Sequence, residues 1–416
     1  MTVLIAGAGI GGLTAALSLH AAGIEAAVVE SSREIRPLGP ARGVGLNLQP
    51  HAVRELTELG LGEELAAIGV DSVELVYCDP SGRRLFTEPR GTAQGYRWPQ
   101  YAVHRGELQL MLLAAVRERL GADAVRTGVR LTGFTQDDAQ GVVRTELLDR
   151  ASGRTEQTGA AALIGADGLH SVVRAQLHPQ GGALLWSGIR MWRGVTLAEP
   201  FLTGRSAVIV RDGDVEMIAY PIGQGRINWV CQVRTGEPGP LAGDAARSRP
   251  GALAEVLPYY RDWALGWLDV PGLLAGAEEI LEYPMVDREP LPSWGRGRVT
   301  LLGDAAHPMY PVGANGASQA VVDARVLAHE LAGAADLPTG LARYESARRE
   351  ATAAIVRANR AMHRDGGRTP QELARITAAY RSATGGDVAA LNSRASLDPP
   401  APAPADMPTN PTTPWS

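Results

Sequence analysis

A glycine-rich turn near the start of the chain constrains the fold more than any other feature. The sequence GAGIGG at residues 7–12 stands between an apolar run at residues 2–6 and an apolar helical pattern that continues to His20. A second apolar run at residues 25–29 ends at Glu30. The order of strand, glycine turn, helix, strand and acid is typical of a βαβ unit that binds a dinucleotide. The sequence therefore predicts an α/β fold that begins with a parallel sheet.

Each glycine of this turn has a physical reason to lack a side chain. Gly7 permits the tight turn, Gly9 lets the backbone approach a pyrophosphate, and Gly12 lets the helix pack against the strand. The N-terminus of the helix then presents free N–H groups to the phosphates. Glu30 follows at the spacing expected for an acid that accepts hydrogen bonds from the adenosine ribose.

Composition excludes several other classes of protein. The 416 residues exceed what one hydrophobic core usually supports, and the net charge of -5 gives no basic surface for nucleic acid. Cys78 and Cys231 are far apart and form no metal-binding motif, so we expect no metal and a reducing, cytoplasmic environment. No apolar stretch is long enough to predict membrane insertion. The sequence contains no lysine, which excludes Schiff-base catalysis, a P-loop and the lysine-dependent flavin halogenases.

Further along the chain, hydrophobic periodicity predicts a second kind of structure. Residues 72–77 and 84–87 are typical of a hairpin, and residues 105–120 of an amphipathic helix. Short β-rich segments between residues 183 and 233 predict a separate antiparallel sheet. Helical patterns follow at residues 316–334 and 341–359, and a Pro-rich and Ala-rich tail from residue 396 is predicted to be disordered.

Two later motifs, taken with the first, establish a resemblance to a known family. GADGLHSVVR occupies residues 165–174 after an apolar strand, and GDAAHP occupies residues 303–308, followed by PVGANG at residues 311–316. These three motifs, in this order, resemble the single-component flavoprotein monooxygenases of the para-hydroxybenzoate hydroxylase type. Within that group, the segments GVGLNLQP at 43–50, MWRG at 191–194 and YPMVDR at 283–288 resemble the salicylate-hydroxylase branch, in particular its phenazine carboxylate hydroxylases.

The resemblance implies a Rossmann-like FAD-binding domain, an interleaved antiparallel substrate domain and C-terminal helices. The FAD-binding domain would comprise residues 1–71, 99–182 and 284–340. The substrate domain would comprise residues 72–98 and 183–283. The C-terminal helices would occupy residues 341–385, ahead of the tail at 396–416.

The resemblance also assigns residues to the cofactor. Asp304 would hydrogen-bond the ribitol of FAD, or else cap a helix, and backbone N–H groups of Gly316 and Ala317 would face the flavin. Arg105 would reach the phosphates, or else lie in solvent. Asp167 and Arg174 would lie near the pyrophosphate and the path of NADH or NADPH, unless Asp167 and Gly168 only support a turn. The expected FAD-binding set is Gly7, Gly9, Gly12, Glu30, Arg42, Arg105, Val129, Asp167, Arg174, Asp304, Gly316 and Ala317. Two departures stand out: one glycine of the 311–316 loop is displaced, and the segment 37–42 is longer than expected. The second departure leaves three positions open for Arg42: at the flavin, at the substrate or in solvent.

The activity implied is hydroxylation of an aromatic substrate with NAD(P)H and O2 through a flavin C4a-hydroperoxide, so no catalytic side chain is expected. The substrate would be a phenolic, aminobenzoic or phenazine carboxylic acid, whose carboxylate Arg193 could bind. The alternatives are decarboxylative or Baeyer-Villiger-type oxygenation and a flavin redox sensor without turnover; oligomeric state is not indicated. Candidate substrate-lining residues are Met191, Trp192, Arg193, Tyr220, Tyr283, Met309, Tyr310 and Pro311.

Overall fold

The structure, a computed structural model, describes residues 2–36, 43–137, 139–241, 249–365, 369–384 and 387–393. Arg42 and the predicted tail at 396–416 lie outside these residues. Within them, no helix is both long and apolar enough to cross a bilayer.

Two strands near the N-terminus, Val3–Ala6 and Ala26–Glu30, pair in the predicted parallel sheet. Its central strand, Val3–Ala6, is buried on both faces, as expected for a parallel strand covered by helices. The α/β class predicted from the glycine motif is confirmed. The five parallel strands of this sheet, in spatial order, are Val299–Leu301, Ala162–Gly165, Val3–Ala6, Ala26–Glu30 and Val125–Thr127.

Two helices beside this sheet pack closely against each other because a glycine lies at their contact. Helix Ile10–Ala21 contains Gly11, and a Cβ atom placed there would lie 3.2 Å from the Cβ of Ala320 in helix Gly316–Ala332. The α-helices of the described residues are Ile10–Ala21, Pro50–Glu58, Gly62–Ile68, Arg105–Leu120, Val172–Leu177, Leu253–Val256, Val270–Ala275, Gly316–Ala332, Leu337–Asp365, Pro370–Ala383 and Val388–Ser393.

A nine-stranded sheet forms the second layer. It is antiparallel except where Ser206–Asp212 pairs in parallel with Glu74–Cys78, and it includes the predicted hairpin of Glu74–Cys78 with Arg84–Pro89. Strand Leu281–Asp287 continues past residue 283, so the boundary predicted there cuts a strand; the division into domains stays a prediction. The strands, in spatial order, are Arg249–Pro250, Leu281–Asp287, Leu184–Leu197, Arg226–Arg234, Val215–Pro221, Ser206–Asp212, Glu74–Cys78 and Arg84–Pro89, with Gly239–Leu241 beside Leu184–Leu197.

Two smaller sheets complete the described fold. Both are antiparallel. One contains Thr155–Ala160, Val142–Asp149 and Val129–Asp137, and the other contains Gly45–Leu48, Tyr101–His104 and Gly69–Asp71.

The two faces of the nine-stranded sheet have different environments. One face packs on residues 253–280 in a core rich in aromatic side chains, including Trp229, Tyr260 and Trp263. The opposite face is turned toward the glycine motifs and forms one wall of a cleft. Since side chains alternate between faces along a strand, each strand contributes every second residue to that cleft.

Candidate active site

The cleft brings the three sequence motifs together. Its volume is about 760 Å³, and Gly9, Gly168, Asp304 and Gly316 all line it. This convergence follows from the topology: strands Val3–Ala6, Ala162–Gly165 and Val299–Leu301 are parallel neighbours, and each motif follows the carboxyl end of one of them. Ligands bind at this edge in open α/β sheets.

The first glycine turn has the shape that a pyrophosphate requires. Gly7 has a φ of 108°, and a Cβ atom on Gly12 would collide with the carbonyl oxygen of Gly7. A Cβ atom on Gly9, in contrast, would meet no atom of the described residues within 4 Å, so this position opens into the cleft. Among the residues that the structure describes, no side chain caps helix Ile10–Ala21. Its first N–H groups are therefore available to an anion.

Glu30 lies at the adjacent strand end, as predicted for a ribose acceptor. One oxygen of its carboxylate accepts a hydrogen bond from the Ala8 N–H at 2.9 Å, and the other accepts one from the Ser32 N–H at 2.7 Å. The backbone before Val129 lies near Glu30, because the Gly128 N–H donates to the Ser32 carbonyl oxygen at 2.7 Å. The side chain of Val129 is buried in the main core and does not line the cleft.

Asp304 and the helix after it form the opposite side of the cofactor region. Asp304 is exposed in the cleft within the short helical turn Gly303–Ala305, whose N-cap is Leu302, so its alternative role as a helix cap is not observed. Gly316 and Ala317 line the cleft at the start of helix Gly316–Ala332, which also lacks a side-chain cap within the described part of the chain. Two uncapped helix N-termini thus border the same cleft. Arg105, the first residue of helix Arg105–Leu120, also lines it.

Asp167 and Arg174 are occupied by structural contacts. The Asp167 carboxylate accepts hydrogen bonds from the backbone N–H groups of Val172 at 2.7 Å and Val173 at 3.3 Å, and burial raises the pKa of this carboxyl. Arg174 donates through Nη1 to the carbonyl oxygens of Ala305 at 2.9 Å and Ala306 at 2.8 Å. The Asp167 contacts match the turn-supporting alternative, and the Arg174 contacts tie the second motif to the third.

A buried ionic network lies beneath the third motif. Asp323 is fully buried; its Oδ2 lies 2.5 Å from His307 Nε2, and its Oδ1 accepts a hydrogen bond from Arg348 Nε at 2.7 Å. The Gly303 N–H also donates to Asp323, at 3.2 Å. Burial alone would raise the pKa of Asp323, but His307 and Arg348 lower it. His307 therefore packs beneath the site and does not face the cleft.

The sheet wall of the cleft carries a row of cross-strand partners. Arg193 pairs with Val230, Val230 with Ile218, and Ile218 with Ile209, and all four residues line the cleft. The predicted lining residues Met191, Arg193, Tyr220, Tyr283, Met309, Tyr310 and Pro311 also line it.

Trp192 is a correction to the predicted lining. It lies between Met191 and Arg193 on one strand, so its side chain points to the other face and is fully buried in the aromatic core. Sequence reasoning also missed Ile209, Ile218 and Val230. Their alternation within β-rich segments was the signal that could have found them.

Arg193 stands at one end of the row with hydrogen-bonding capacity to spare. Its Nη1 donates to the Tyr283 hydroxyl at 2.9 Å, and its Nη2 lies 3.5 Å from the Gly45 carbonyl oxygen. Its Nε is buried and has no hydrogen-bond partner among the described residues. Burial raises the pKa of the neighbouring Tyr220 to about 12, so its hydroxyl stays protonated at neutral pH. The wall thus presents a cation and hydroxyl groups beside an apolar surface.

This combination defines a dinucleotide-binding flavoprotein class, with a phosphate-binding glycine turn, a second uncapped helix and an apolar cleft between a parallel and an antiparallel sheet. Comparison with known families agrees. Residues 1–252 and 272–359 match the family described as FAD binding domain. The chain belongs to this FAD-binding family.

Individual relatives are aromatic hydroxylases. The chain is 53% identical to phenazine 1,6-dicarboxylic acid hydroxylase of Lysobacter antibioticus, over 91% of this chain and 96% of that protein. It is 32% identical to 3-hydroxybenzoate 6-hydroxylase 1 of Aquipseudomonas alcaligenes, over 85% of this chain and 86% of that protein. A solved structure of Klebsiella pneumoniae HpxO with FAD and uric acid is 25% identical, with a TM-score of 0.73 over 92% of this chain and 93% of that one. The predicted resemblance and the predicted FAD-dependent aromatic hydroxylase are confirmed.

Proposed function

We propose that the protein hydroxylates a fused-ring aromatic carboxylic acid, with a phenazine carboxylate as the substrate class. The reaction consumes NAD(P)H, a proton, O2 and the aromatic substrate, and yields NAD(P)+, water and the hydroxylated ring. FAD, bound by the glycine turn, Asp304 and the N-terminus of helix Gly316–Ala332, supplies the electron transfer and the activation of O2. The protein holds the ring beside the flavin and limits access of water.

The row of Arg193, Val230, Ile218 and Ile209 carries the proposal. These residues lie on four adjacent strands. Three strand spacings of about 4.8 Å give a row about 14 Å long, which exceeds the length of a single benzene ring. Arg193 offers a planar guanidinium at one end for a carboxylate, and the three β-branched side chains offer a flat apolar surface for fused rings.

The relative from Lysobacter antibioticus supports this choice, since it is named for a phenazine dicarboxylic acid and covers nearly the whole chain. The Aquipseudomonas alcaligenes relative, which is named for a single-ring substrate, is less similar to this chain, with 32% identity. We therefore place fused-ring carboxylates ahead of hydroxybenzoates as substrates of this chain.

A second, cation-rich pocket suits the phosphates of the reductant. Its volume is about 530 Å³, and Arg174, Arg288, His170 and His178 line it; no carboxylate does so among the described residues. Arg174 Nε and Nη2 are buried without a hydrogen-bond partner among the described residues. A nicotinamide dinucleotide that docks there would bring negative charge to these unpaired donors.

The test is a panel of ligands with both NADH and NADPH. Phenazine-1-carboxylate, phenazine-1,6-dicarboxylate, uncharged phenazine and 3-hydroxybenzoate are compared by nicotinamide oxidation, hydrogen peroxide release and product mass. We expect the phenazine carboxylates to stimulate oxidation with little peroxide and to gain one oxygen atom. Preferential turnover of 3-hydroxybenzoate, or no stimulation by any member of the panel, would contradict the proposal.

Decarboxylative hydroxylation is a second candidate, because an arginine at the carboxylate end also fits a substrate that loses CO2. Product mass and CO2 release from the phenazine carboxylates distinguish the two. A product that keeps its carboxylate and gains oxygen favours simple hydroxylation. Release of one CO2 for each nicotinamide oxidised favours the decarboxylative reaction.

A further inference from the structure

The loop after the third motif has an unusual backbone conformation. Tyr310, Pro311, Gly313, Ala314 and Asn315 all line the cleft. Gly313 has a φ of 66° and Ala314 a φ of 57°, so two successive residues are left-handed and one of them carries a Cβ atom. In a non-glycine residue, this conformation brings the Cβ atom too close to the following carbonyl oxygen and is therefore strained. The displaced glycine noted in the sequence thus leaves a strained residue in the wall of the cleft, and other contacts must hold it.

A chain of side-chain hydrogen bonds spans this loop from end to end. Asn315 Nδ2 donates to the Tyr380 hydroxyl at 2.6 Å, and that hydroxyl donates to Asn359 Oδ1 at 2.5 Å. Asn359 Nδ2 then donates to the Tyr310 carbonyl oxygen at 3.0 Å. Asn315 is 3% exposed and Asn359 fully buried, so neither amide can readily exchange these partners for water.

Tyr380 also fits the loop by shape. A Cβ atom on Gly313 would collide with the Tyr380 ring and hydroxyl, so the glycine leaves space for the tyrosine. Burial raises the pKa of Tyr380, and its hydroxyl therefore remains a donor at neutral pH. The Val312 carbonyl oxygen, 3.1 Å from the hydroxyl, is a second acceptor within reach.

The tyrosine comes from a helix outside the matched part of the chain. The FAD-binding family match ends at residue 359, and helix Pro370–Ala383 follows it. A capping box of Thr369 and Glu372 begins this helix, and Arg381 lies 3.2 Å from Glu88 at the edge of the nine-stranded sheet. The helix thus has a defined start and is tied to the sheet near its C-terminal end, and the Tyr380 hydroxyl contacts the loop from it.

We propose that Tyr380 is a positioning residue that holds the loop 310–315 in its closed, left-handed conformation against the flavin and substrate. Its role in turnover rests on the proposed hydroxylase function; its role in holding the flavin does not. Loss of the hydroxyl allows the loop to leave the cleft more often. Water then reaches the reaction, and the two electrons taken from NAD(P)H reduce O2 to hydrogen peroxide while the substrate stays unhydroxylated.

The test uses Tyr380→Phe in the full chain, which removes only the hydroxyl. We expect the dissociation constant for FAD, measured by flavin fluorescence with apoprotein, to rise about threefold to tenfold, the range that one lost hydrogen bond supports. With a phenazine carboxylate, the fraction of nicotinamide oxidation that ends as peroxide rises, while the substrate KM changes less than the coupling. The FAD measurement needs no substrate, so it stands even if the proposed substrate class is wrong.

Tyr260→Phe is the matched control. The Tyr260 hydroxyl is also buried and donates to backbone carbonyl oxygens, those of Glu216 at 2.9 Å and Gln232 at 3.1 Å, but it lies in the aromatic core on the far face of the sheet. We expect this variant to lose some thermal stability and to keep wild-type FAD affinity and coupling. Equal FAD affinity and equal peroxide fractions in the Tyr380→Phe and Tyr260→Phe proteins overturn the proposal.

Ala314→Gly supplies a rescue in the Tyr380→Phe background. Glycine removes the steric cost of the left-handed conformation, so the loop closes more readily without the tyrosine hydroxyl. We expect part of the coupling and FAD affinity to return in the double variant. Absence of any recovery would show that the hydroxyl acts elsewhere than on this loop and would refute the assignment.

Discussion

Replacement of Arg193 by methionine tests the assignment of the carboxylate end of the cleft. The change keeps an unbranched side chain but removes the charge and the unpartnered Nε–H. A charge-assisted hydrogen bond contributes about 1.5–3 kcal/mol. Since about 1.4 kcal/mol corresponds to a tenfold change in affinity, binding of phenazine-1-carboxylate should weaken about tenfold to a hundredfold.

The assay is a titration of the flavin absorbance with two ligands of the same ring system. Phenazine-1-carboxylate carries the charge, and phenazine does not. We expect Arg193→Met to weaken the binding of phenazine-1-carboxylate. The affinity for phenazine should stay within about twofold of the wild-type value, a change on the order of 0.4 kcal/mol. Arg193→Lys should recover only part of the affinity, because an ammonium lacks the planar fork of a guanidinium.

The matched control is Arg190→Met on the same strand. Arg190 is half-buried outside the cleft, donates to Glu282 at 2.5 Å and lies over the Trp192 ring, 5.0 Å from its centroid. The Arg190→Met protein should bind both ligands with wild-type affinity. If Arg193→Met weakens the binding of both ligands equally, the residue supports the wall of the cleft and does not bind the carboxylate. If it weakens neither, the carboxylate lies elsewhere.

Three further predictions concern the cofactor site and its support. Gly9→Ala should fold with unchanged thermal stability but take up less FAD, because its Cβ atom points into the open cleft. Gly12→Ala should instead lower the thermal stability through the clash with the Gly7 carbonyl. Thermal melts and flavin content distinguish the two variants. Asp304→Ala should raise the FAD dissociation constant with little change in the melting temperature, and an unchanged constant would remove Asp304 from the site. Asp323→Asn should lower the free energy of unfolding by about 3–5 kcal/mol, since it leaves buried Arg348 without its anion. Because the folded pKa of Asp323 is lowered, the wild-type advantage should be full above the ordinary pKa of an aspartate and decline as the pH falls toward the folded value; an advantage that grows on acidification would contradict this.

Local sequence patterns predicted much of the fold. The glycine turn, the βαβ unit and helix Arg105–Leu120 were predictable because each depends on neighbouring residues only. The arrangement of parallel strands and the pairing of Glu74–Cys78 with Ser206–Asp212 depend on contacts between distant segments. No local pattern encodes those contacts.

The site was predictable to a lesser degree, for the same reason. Met191 and Arg193 face the cleft as predicted, but Trp192 does not, because the prediction took adjacent residues of one strand together and ignored their alternation. Asp167 and Arg174 were assigned through the resemblance; in the described structure, Asp167 supports its own turn and Arg174 joins the second motif to the third. Tyr380 carries no motif, and its contact with the loop could be found only from the folded chain.

The central claim is that this FAD-binding chain inserts one atom of O2 into a fused-ring aromatic carboxylate. The most direct measurement is turnover of phenazine-1-carboxylate by the flavin-loaded protein with isotope-labelled O2, followed by the mass of the product and the amount of nicotinamide oxidised. The account predicts one labelled oxygen atom in the ring for each nicotinamide consumed. Nicotinamide oxidation that yields only hydrogen peroxide, with the ring unchanged across the phenazine carboxylates, would contradict it.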